Sequence, residues 1–358
     1  MDYDSRRKRL WQAHADEGAG ALLVVSPQNV LYLSGFTGGD SWLLLGEGRA
    51  QLLTDFRYQE QAAAEAPGVE VVTRHDESLT ELVARLLPPK APLAFEAQHL
   101  AYTAYRKLAE TVDADRLRPA EGWGEELRVI KNEQEVRLIR QAVAVAEDSF
   151  RALRAAVRPG AKEKDLADEL VYQMRRRGAQ DEAFPTIVAA GERGSLPHAQ
   201  STDRAIKPGE AILVDWGARV RFYNCDLTRV LFLGSIPRLI EGVYGIVAAA
   251  QQEAYESLRP GRSLGDVDAA ARALITEAGH GEAFGHGLGH GVGLEVHERP
   301  TLKKGAEEAA QPGMVHTLEP AIYLPGVGGV RIEDMVLVAE GGAERLTSLP
   351  RDVESMVV

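Results

Sequence analysis

The sequence predicts two domains of different class, an α/β domain over residues 1–122 and an α+β domain over residues 123–358. A length of 358 residues is enough for two or three domains. The first part of the chain alternates between strand-like and helix-like segments, which is typical of an α/β domain. Later segments combine paired strands with long amphipathic helices. Pro and Gly interrupt both patterns at 119–124, Pro-Ala-Glu-Gly-Trp-Gly, and we expect the boundary there.

The predicted N-terminal domain has no cluster of metal-ligand residue types in its sequence. Short apolar runs that end at Pro, Gly or Ser predict its strands, and amphipathic runs predict its helices. We predict strands at 21–25, 41–45, 51–54, 69–72 and 93–96, and helices at 3–17, 55–65, 79–87 and 100–110. We interpret this domain as a cap, a dimerisation element or both, with a plain stabilising domain as the alternative.

The predicted C-terminal domain begins with a helix-start signal. Asn132, followed three positions later by Glu135, resembles a capping box, and an apolar stripe at helical spacing continues to Val157. We predict further helices at 164–177, 238–258 and 264–278, and strands at 211–215, 222–233, 314–324 and 330–339. We therefore expect antiparallel hairpins backed by helices.

Composition argues against several classes of protein. A net charge of −12 disfavours nucleic acid and anionic membranes as partners. No apolar run approaches the roughly 18 residues of a membrane span, and no apolar segment of a secretory signal follows the basic N-terminus. The single cysteine, Cys225, excludes an internal disulfide and fits a reducing compartment. We therefore expect a cytoplasmic protein.

A glycine-rich stretch from Gly285 to Glu298 contains three histidines, His286, His290 and His297. The first two are four positions apart, as zinc ligands on a helix would be. Gly287 stands where such a helix would need a glutamate, and each glycine costs a helix about 1 kcal/mol. The stretch therefore predicts irregular backbone that leads into a strand at 294–297. A glycine-rich loop with surface histidines is the alternative reading.

Two predicted hairpins each bring a pair of carboxylates together. A turn around Val220-Arg221 would set Asp215 opposite Asp226, because their numbers are symmetric about it. A turn centred on Gly326 would likewise pair Glu319 with Glu333. Facing carboxylates repel each other unless a cation lies between them, and exposed hairpins with solvated carboxylates are the alternative.

Together these residues form a candidate set of metal ligands. Four carboxylates and one imidazole, from Asp215, Asp226, His290, Glu319 and Glu333, are too rich in oxygen for a structural zinc site. They suit two bridged divalent ions such as manganese, cobalt or zinc. Two such ions about 3.5–4 Å apart activate water and polarise a carbonyl in hydrolytic enzymes.

The motifs around these residues resemble those of the pita-bread metallopeptidases, the family of methionine aminopeptidase, aminopeptidase P and prolidase. The resemblance rests on Asp215-Trp216-Gly217, Asp226-Leu227-Thr228-Arg229, the block from His286 to His297, Thr317-Leu318-Glu319-Pro320 and Gly329-Val330-Arg331-Ile332-Glu333-Asp334, which occur in the family's order. Tyr32-Leu33-Ser34-Gly35-Phe36 also resembles the N-terminal domain of the proline-specific members. The resemblance implies a creatinase/prolidase-like N-terminal domain followed by a pita-bread catalytic domain. Creatinase shares the fold but lacks this ligand set.

The resemblance also implies a role for each ligand. Asp215 is expected to bind one metal, and Asp226 and Glu333 to bridge both. His290 and Glu319 are expected to hold the other metal. Glu319 is also expected to act as general base and proton shuttle for a water between the metals.

Four further residues match substrate-side positions of the family. His198 is expected to contact the substrate or the leaving group. His286 and His297 are expected to line a proline pocket, and His297 also to contact the scissile carbonyl. Arg331 either supports the site or binds the product-side carboxylate, or merely neutralises excess carboxylate charge, and all of these readings stay open.

The three-histidine block resembles that of both prolidase and aminopeptidase P. The length of 358 residues resembles that of the short prolidases, so it favours a prolidase, an Xaa-Pro dipeptidase with two divalent ions, most simply manganese. The first alternative is an aminopeptidase P acting on longer peptides. A non-catalytic binding scaffold and a cysteine hydrolase built on Cys225 are weaker alternatives, because the ligand set is intact and Cys225 should face away from Asp226. We expect small proline-containing peptides as substrates and a homodimer or larger homo-oligomer, as is common in the family.

Overall fold

The chain divides into two compact units, Met1–Arg128 and Val129–Val358. The computed structural model describes the backbone of residues 1–358 and every side chain except that of residue 15. The first unit alternates strands and helices, and the second combines antiparallel strands with long helices. Both predicted fold classes are therefore confirmed. The predicted boundary after residue 122 falls just before a helix, Trp123–Val129, most of which belongs to the first unit.

The first unit is built around one six-stranded mixed sheet. In chain order its helices are α1 (Tyr3–Ala13), α2 (Pro27–Ser34), α3 (Gln59–Glu65), α4 (Leu79–Leu86), α5 (Tyr102–Val112) and α6 (Trp123–Val129). Its strands are β1 (Ala21–Val24), β2 (Trp42–Gly46), β3 (Arg49–Asp55), β4 (Glu70–Arg74), β5 (Leu93–Glu96) and β6 (Leu117–Ala120), in the order β4-β3-β2-β1-β5-β6.

Helix α2 was not predicted. Ser26-Pro27 directly follows the strand predicted at 21–25, and in the structure the pair begins a helix. The Ser26 hydroxyl accepts the Asn29 backbone N–H, and Pro27 occupies the first helical turn. A capping serine followed by proline is a favourable helix start because neither residue leaves an intrahelical donor unpaired.

The second unit carries four long helices: α7 (Glu133–Leu153), α8 (Glu163–Arg176), α9 (Arg238–Ser257) and α10 (Leu264–Glu277). The predicted capping box at the start of α7 is confirmed, since Asn132 and Glu135 each accept a backbone N–H from the other. None of the helices in the described chain is long and apolar enough to cross a membrane.

The strands of the second unit are short and form four small sheets. They are β7 (Asp181–Glu182), β8 (Ile187–Ala190), β9 (Ala211–Trp216), β10 (Ala218–Val220), β11 (Tyr223–Asn224), β12 (Leu227–Phe232), β13 (Gly289–Gly291), β14 (Glu298–Leu302), β15 (Val315–Leu318), β16 (Ala321–Leu324), β17 (Gly328–Arg331), β18 (Asp334–Ala339) and β19 (Gly342–Arg345). The sheet orders are β11-β10-β7, β12-β9-β8, β14-β13-β15-β18-β19 and β16-β17.

Three long predicted strands are each broken in two. The strand predicted at 222–233 is interrupted at Cys225-Asp226, the one at 314–324 at Glu319-Pro320, and the one at 330–339 at Ile332-Glu333. Each interruption is two residues long and contains one of the predicted metal ligands. Apolar residues lie on both sides of each break, so the hydrophobic pattern of the sequence does not reveal the breaks.

The predicted strand at 294–297 is wrong. Residues 293–297 form bends, and the strands lie on either side of them, as β13 and β14. The pairing of β13 with β14 shifts between His290 and Gly291. The prediction of irregular backbone in this stretch thus applies further along the chain than we expected.

Candidate metal centre

The first hairpin has a register two residues away from the predicted one. Asp215 lies opposite Thr228 instead of Asp226. The turn is formed by Arg221 and Phe222, with φ of 48° and 71°, one position later than predicted. Because side chains alternate between the faces of a strand, a shift of two residues keeps the two aspartates on the same face.

The second hairpin has the predicted register over its paired residues. Ala321 lies opposite Arg331 and Tyr323 opposite Gly329, as centring on Gly326 requires. Glu319 and Glu333 lie two positions beyond the last of these pairs. Their backbone N–H groups bond elsewhere, to Leu288 O at 2.9 Å and to Thr228 O at 3.2 Å respectively. The second of these bonds joins the two hairpins.

The predicted ligands meet in one cluster. Three overlapping groups have potential ligand atoms within 4.8 Å of one another: Asp215, Asp226 and Glu333; His290, Glu319 and Glu333; and Asp226, His290 and His297. Glu333 and Asp226 each belong to two groups that otherwise differ. The arrangement therefore offers two adjacent cation positions with carboxylates shared between them.

Burial and mutual repulsion disfavour charge on most of these carboxylates. Burial raises the pKa of Asp215, although Arg331 opposes the shift. Burial and the charges of Glu333, Asp215 and Glu319 raise the pKa of Asp226 well above its ordinary value. Burial, Glu319 and Asp215 do the same to the pKa of Glu333. The chain itself does not supply enough positive charge to balance these carboxylates when they are ionised.

His290 makes the favourable contacts within the cluster, to Glu319 and, at 3.6 Å from Nε2, to Asp226 Oδ2. His290 Nε2 lies 3.3 Å from Glu319 Oε1. Burial acts against charge on both groups, yet their mutual hydrogen bond and attraction leave the pKa of Glu319 lowered and that of His290 raised. Thr317 connects the same two residues, because its hydroxyl accepts the His290 N–H at 3.1 Å and donates to Glu319 Oε1 at 3.2 Å.

Arg331 has protein partners for each branch of its guanidinium. Nη2 donates to Asp215 Oδ2, Nη1 to the Tyr323 hydroxyl at 2.6 Å, and Nε to the Thr228 hydroxyl at 3.0 Å. Thr228 in turn donates to Glu333 Oε2 at 2.6 Å. This side chain is buried and ties together one carboxylate from each hairpin.

Two carboxylate oxygens in the cluster remain without partners among the described atoms, Asp215 Oδ1 and Glu333 Oε1. Each belongs to a carboxylate whose second oxygen is hydrogen-bonded to protein. A buried acceptor without a partner costs about 1–3 kcal/mol. The residues therefore fit a pair of divalent cations, which favour carboxylate oxygen with some imidazole nitrogen.

The cluster opens into a cavity of about 1030 Å³. The remaining predicted site residues, His198, His286, His297 and Arg331, all line it, together with Tyr323. His286 Nε2 lies 3.3 Å from the Tyr323 hydroxyl, and the rings of His290 and His297 are 4.4 Å apart. Burial lowers the pKa of His286, and burial together with His290 lowers that of His297. Both rings are therefore neutral imidazoles near neutral pH.

Cys225 does not line this cavity in the described structure. Its side chain is fully buried, and Sγ accepts the Ala218 N–H at 3.2 Å. Burial also raises the pKa of the thiol. A protonated, inaccessible thiol is not a nucleophile, so Cys225 is structural.

Sequence reasoning missed three polar residues of the site. Thr228 and Thr317 each stand two positions from a predicted ligand, Asp226 and Glu319, and so share its strand face. This spacing was a usable signal. No local signal identified Tyr323, whose role comes from tertiary contacts with Arg331 and His286.

The two units match two family models. Residues 137–340 match Metallopeptidase family M24, and residues 6–130 match the Creatinase/Prolidase N-terminal domain. The fold and the cluster thus define a metallopeptidase, a class that implies divalent metal ions and peptide substrates. The chain belongs to metallopeptidase family M24. The predicted resemblance and the predicted pita-bread architecture are confirmed.

Similar proteins of known name cover almost the whole chain. An Xaa-Pro dipeptidase of Pyrococcus horikoshii is 35% identical over 93% of this chain and 94% of its own length. A solved Xaa-Pro dipeptidase of Bacillus anthracis matches with a TM-score of 0.96 and 35% identity, covering 99% of this chain and 100% of that one. A solved X-Pro aminopeptidase of Thermotoga maritima matches with a TM-score of 0.91 and 34% identity, at the same coverage of both chains.

Proposed function

We propose that this metallopeptidase is an Xaa-Pro dipeptidase that hydrolyses the bond before a C-terminal proline. One observation carries the proposal: the four carboxylates and His290 share a cavity with three further histidines. Similarity to proteins named Xaa-Pro dipeptidase over nearly the whole chain supports the substrate class. The intact ligand cluster disfavours a non-catalytic scaffold.

We propose that two divalent ions occupy the cluster. Asp215 holds one ion, His290 and Glu319 hold the other, and Asp226 and Glu333 are shared between them. The unpartnered oxygens of Asp215 and Glu333 support this assignment. When bound, the ions supply Lewis-acid chemistry, which polarises a carbonyl and makes water more acidic.

Glu319 is the proposed general base and proton shuttle. Its Oε1 accepts the Thr317 hydroxyl and lies 3.3 Å from His290 Nε2. Its lowered pKa keeps the carboxylate ionised and able to accept a proton from the attacking water. The leaving nitrogen of proline needs that proton, because it leaves as an amine far more readily than as an anion.

The three remaining histidines are the proposed substrate contacts. His286 and His297 line the proline pocket, His297 also meets the scissile carbonyl, and His198 contacts the substrate or the leaving group. The partners of Arg331 favour a supporting role, since its guanidinium is bound to Asp215, Tyr323 and Thr228. Neutral imidazoles suit an uncharged proline ring better than cations would.

Three finer points belong to the same proposal. Manganese is the proposed ion, with cobalt and zinc as alternatives, because the donor set is rich in oxygen and contains imidazole. A homodimer or larger homo-oligomer is proposed from the family resemblance. A cytoplasmic location is proposed from the composition and the single cysteine.

A second candidate is an Xaa-Pro aminopeptidase that acts on longer peptides. The similarity to the Thermotoga maritima X-Pro aminopeptidase favours it, at almost the same identity as the dipeptidases. The cavity volume of about 1030 Å³ also exceeds what a dipeptide alone requires.

The deciding experiment compares an Xaa-Pro dipeptide with an Xaa-Pro-Yaa tripeptide, with added manganese and with chelator. We expect cleavage of the dipeptide alone, lost in chelator and restored by manganese. Cleavage of the tripeptide would move the assignment to the aminopeptidase and keep the metal chemistry. Cleavage of neither peptide with manganese, cobalt or zinc would overturn the proposal.

A further inference from the structure

Three histidines of the cavity, His198, His286 and His297, lie outside the five-residue ligand set. None of the three lies in a helix or strand of the described chain: His198 is in a turn, and the other two are in bends. Irregular segments do not fix side-chain geometry by themselves, because their backbone groups are not paired within a regular ladder. Something outside each segment must hold these imidazoles.

The segment that carries His286 is held by an ion pair on helix α10. Asp268 and Arg272 are one helical turn apart, and the guanidinium binds the carboxylate at 2.7 and 2.8 Å. Arg272 also donates to the carbonyls of Phe284 and His286, both at 2.8 Å. Asp268 Oδ1 accepts the Leu288 N–H at 3.0 Å. One pair therefore fixes three backbone groups at alternate positions around His286.

Ring contacts extend this arrangement to the imidazole itself. The guanidinium of Arg272 lies 4.1 Å from the centroid of the Phe284 ring. That ring meets His286 edge to face, with centroids 5.1 Å apart. Displacing Arg272 would therefore move both the backbone and the packing surface of His286.

The segment that carries His198 is held in the same way. Glu163 is completely buried at the start of α8 and binds Arg193 Nε at 3.1 Å. The same carboxylate accepts the Ala190 N–H at 2.9 Å and the Thr202 N–H at 3.1 Å, so it holds both ends of the segment 190–202. Arg193 Nη2 donates to Gln200 O at 2.5 Å, two positions beyond His198.

His297 is followed directly by the carboxylate of a third pair. Glu298 Oε2 binds Lys131 Nζ at 3.1 Å, and both side chains are nearly inaccessible, at 3% and 2%. Glu298 Oε1 accepts the Glu295 N–H at 3.1 Å. Asn224 holds the same segment through the carbonyls of Gly293 and Leu294. Because Asn224 also supports this segment, the pairs Asp268–Arg272 and Glu163–Arg193 give clearer tests of positioning.

We propose that each of the three histidines is set in place by its own ion pair, in which the carboxylate is buried. The six positioning residues are Asp268 with Arg272, Glu163 with Arg193, and Glu298 with Lys131. This inference rests on the proposed function, because it assumes that the histidines contact the substrate. Buried ion pairs contribute little net stability, and fixing a geometry is a recognised reason for retaining them. Each pair here bonds to the backbone on or beside its histidine's segment.

Double-mutant cycles test the pairing of each histidine with its arginine. We expect Arg272→Met to lower kcat/KM on an Xaa-Pro dipeptide by about 100-fold, and Arg272→Lys by about 10-fold, since an ammonium cannot reach both carbonyls at once. In a His286→Ala background, Arg272→Met should change kcat/KM by less than about twofold. In a His198→Ala background it should keep its full effect, since His198 is held by a different ion pair. Arg193→Met should lower kcat/KM fully in the His286→Ala background and change it by less than about twofold in the His198→Ala background.

A matched control separates positioning from stability. Arg154 also donates to two backbone carbonyls, of Ser355 and Val357, and does not line the cavity in the described structure. Arg154→Met should leave kcat/KM within about twofold even if it lowers Tm as much as Arg272→Met does. Equal losses of kcat/KM in both histidine backgrounds, or no loss from either arginine variant, would overturn the proposal.

A second readout does not depend on catalysis. Imidazole NMR signals of the metal-free protein can be assigned among the chain's nine histidines by comparison with the His286→Ala and His198→Ala variants. Arg272→Lys should shift the His286 signal and leave that of His198 in place. If the unaltered protein cleaves no Xaa-Pro peptide, the proposed function fails, and these signals still decide whether the pairs position the histidines. An unmoved His286 signal contradicts the inference.

Discussion

Glu333 and Asp334 are neighbours in the chain, and both are buried, but their surroundings are opposite. Asp334 opens strand β18 and faces an interior lined with donors: Arg229 at 2.6 Å, Gln251 at 2.9 Å and Arg351 at 3.2 Å. Burial alone would raise the pKa of Asp334, but the charges of Arg229 and Arg351 leave it lowered. Glu333 faces the cavity among other carboxylates, and its pKa is raised well above its ordinary value.

This difference distinguishes a structural charge from a functional one. On the Asp334 side, the chain supplies every counter-charge that the carboxylate needs. On the Glu333 side, the chain brings together four carboxylates and leaves two of their oxygens without a partner. A fold that can neutralise one face so fully and leaves the adjacent face acidic has a site for a cation on the second face.

The largest expected effect comes from the cavity side. Glu319→Ala removes the proposed base and one metal ligand together, so turnover of an Xaa-Pro dipeptide should fall by about 10⁴-fold or more. Glu340→Ala, which removes an exposed glutamate at the end of the same sheet, is the control and should leave turnover unchanged. A Glu319→Ala protein with more than about a hundredth of the original turnover would contradict the assigned role.

The second prediction breaks the comparison directly, with two neighbouring substitutions measured by urea unfolding in chelator at pH 7. Asp334→Asn should lower the free energy of unfolding by about 3–5 kcal/mol, because it leaves Arg229 buried without its counter-ion. Glu333→Gln should instead raise the free energy of unfolding. The raised pKa makes the folded state resist an ionisation that the unfolded chain undergoes freely at pH 7.

Destabilisation of the metal-free protein by Glu333→Gln would refute this account of the cavity face. Added manganese supplies a further check. It should stabilise the unaltered protein and the Asp334→Asn variant, and have much less effect on Glu333→Gln, which loses a shared ligand.

The smallest expected effect concerns His316, a buried and uncharged imidazole. It adds a neutral group to the comparison between the Asp334 side and the Glu333 side. His316 lies opposite Val336 and therefore shares the face of Asp334. Burial lowers the pKa of His316 to about 3, and neither ring nitrogen has a partner among the described atoms. Below about pH 6.5 the unfolded chain takes up a proton on this histidine that the folded chain refuses. Stability therefore falls as pH decreases through this range.

Between pH 7 and pH 5 this one histidine should account for a loss of about 2 kcal/mol in the free energy of unfolding. His316→Leu should remove that part of the pH dependence in unfolding curves measured at both pH values. An identical pH dependence in the two proteins would show that the folded protein protonates His316 as readily as the unfolded chain does, and would contradict the lowered pKa.

The site's side-chain faces could be predicted from sequence better than its contacts. A strand period of two residues put Asp215 and Asp226 on one face even though the register was wrong by two. The register failed because Arg221 and Phe222 form the turn with positive φ, which neither residue type announces. The glycines around Gly326 did announce the second turn, and its paired register was correct.

Tertiary partners explain what the sequence could not provide. At the interruptions, the backbone N–H groups of Glu319 and Glu333 bond to distant backbone, at Leu288 O and Thr228 O. The N–H of Asp226 bonds to the side-chain sulfur of Met335. The three protein partners of Arg331 are likewise far from it in sequence or on another strand. Local sequence patterns identify these residues as candidates. Their geometry depends on contacts with segments that are far away in the sequence, which local patterns do not reveal.

The contact between Thr228 and Glu333 also bears on how the protein matures. Each hairpin closes over a short loop, whereas the bridge between positions 228 and 333 joins segments separated in sequence by helices α9 and α10. Contacts of such long sequence separation form late in folding. We therefore expect metal ions to bind after the two hairpins have met, rather than to start folding through the proposed shared carboxylates. On that expectation, metal supply should govern resistance to proteolysis more than the speed of folding.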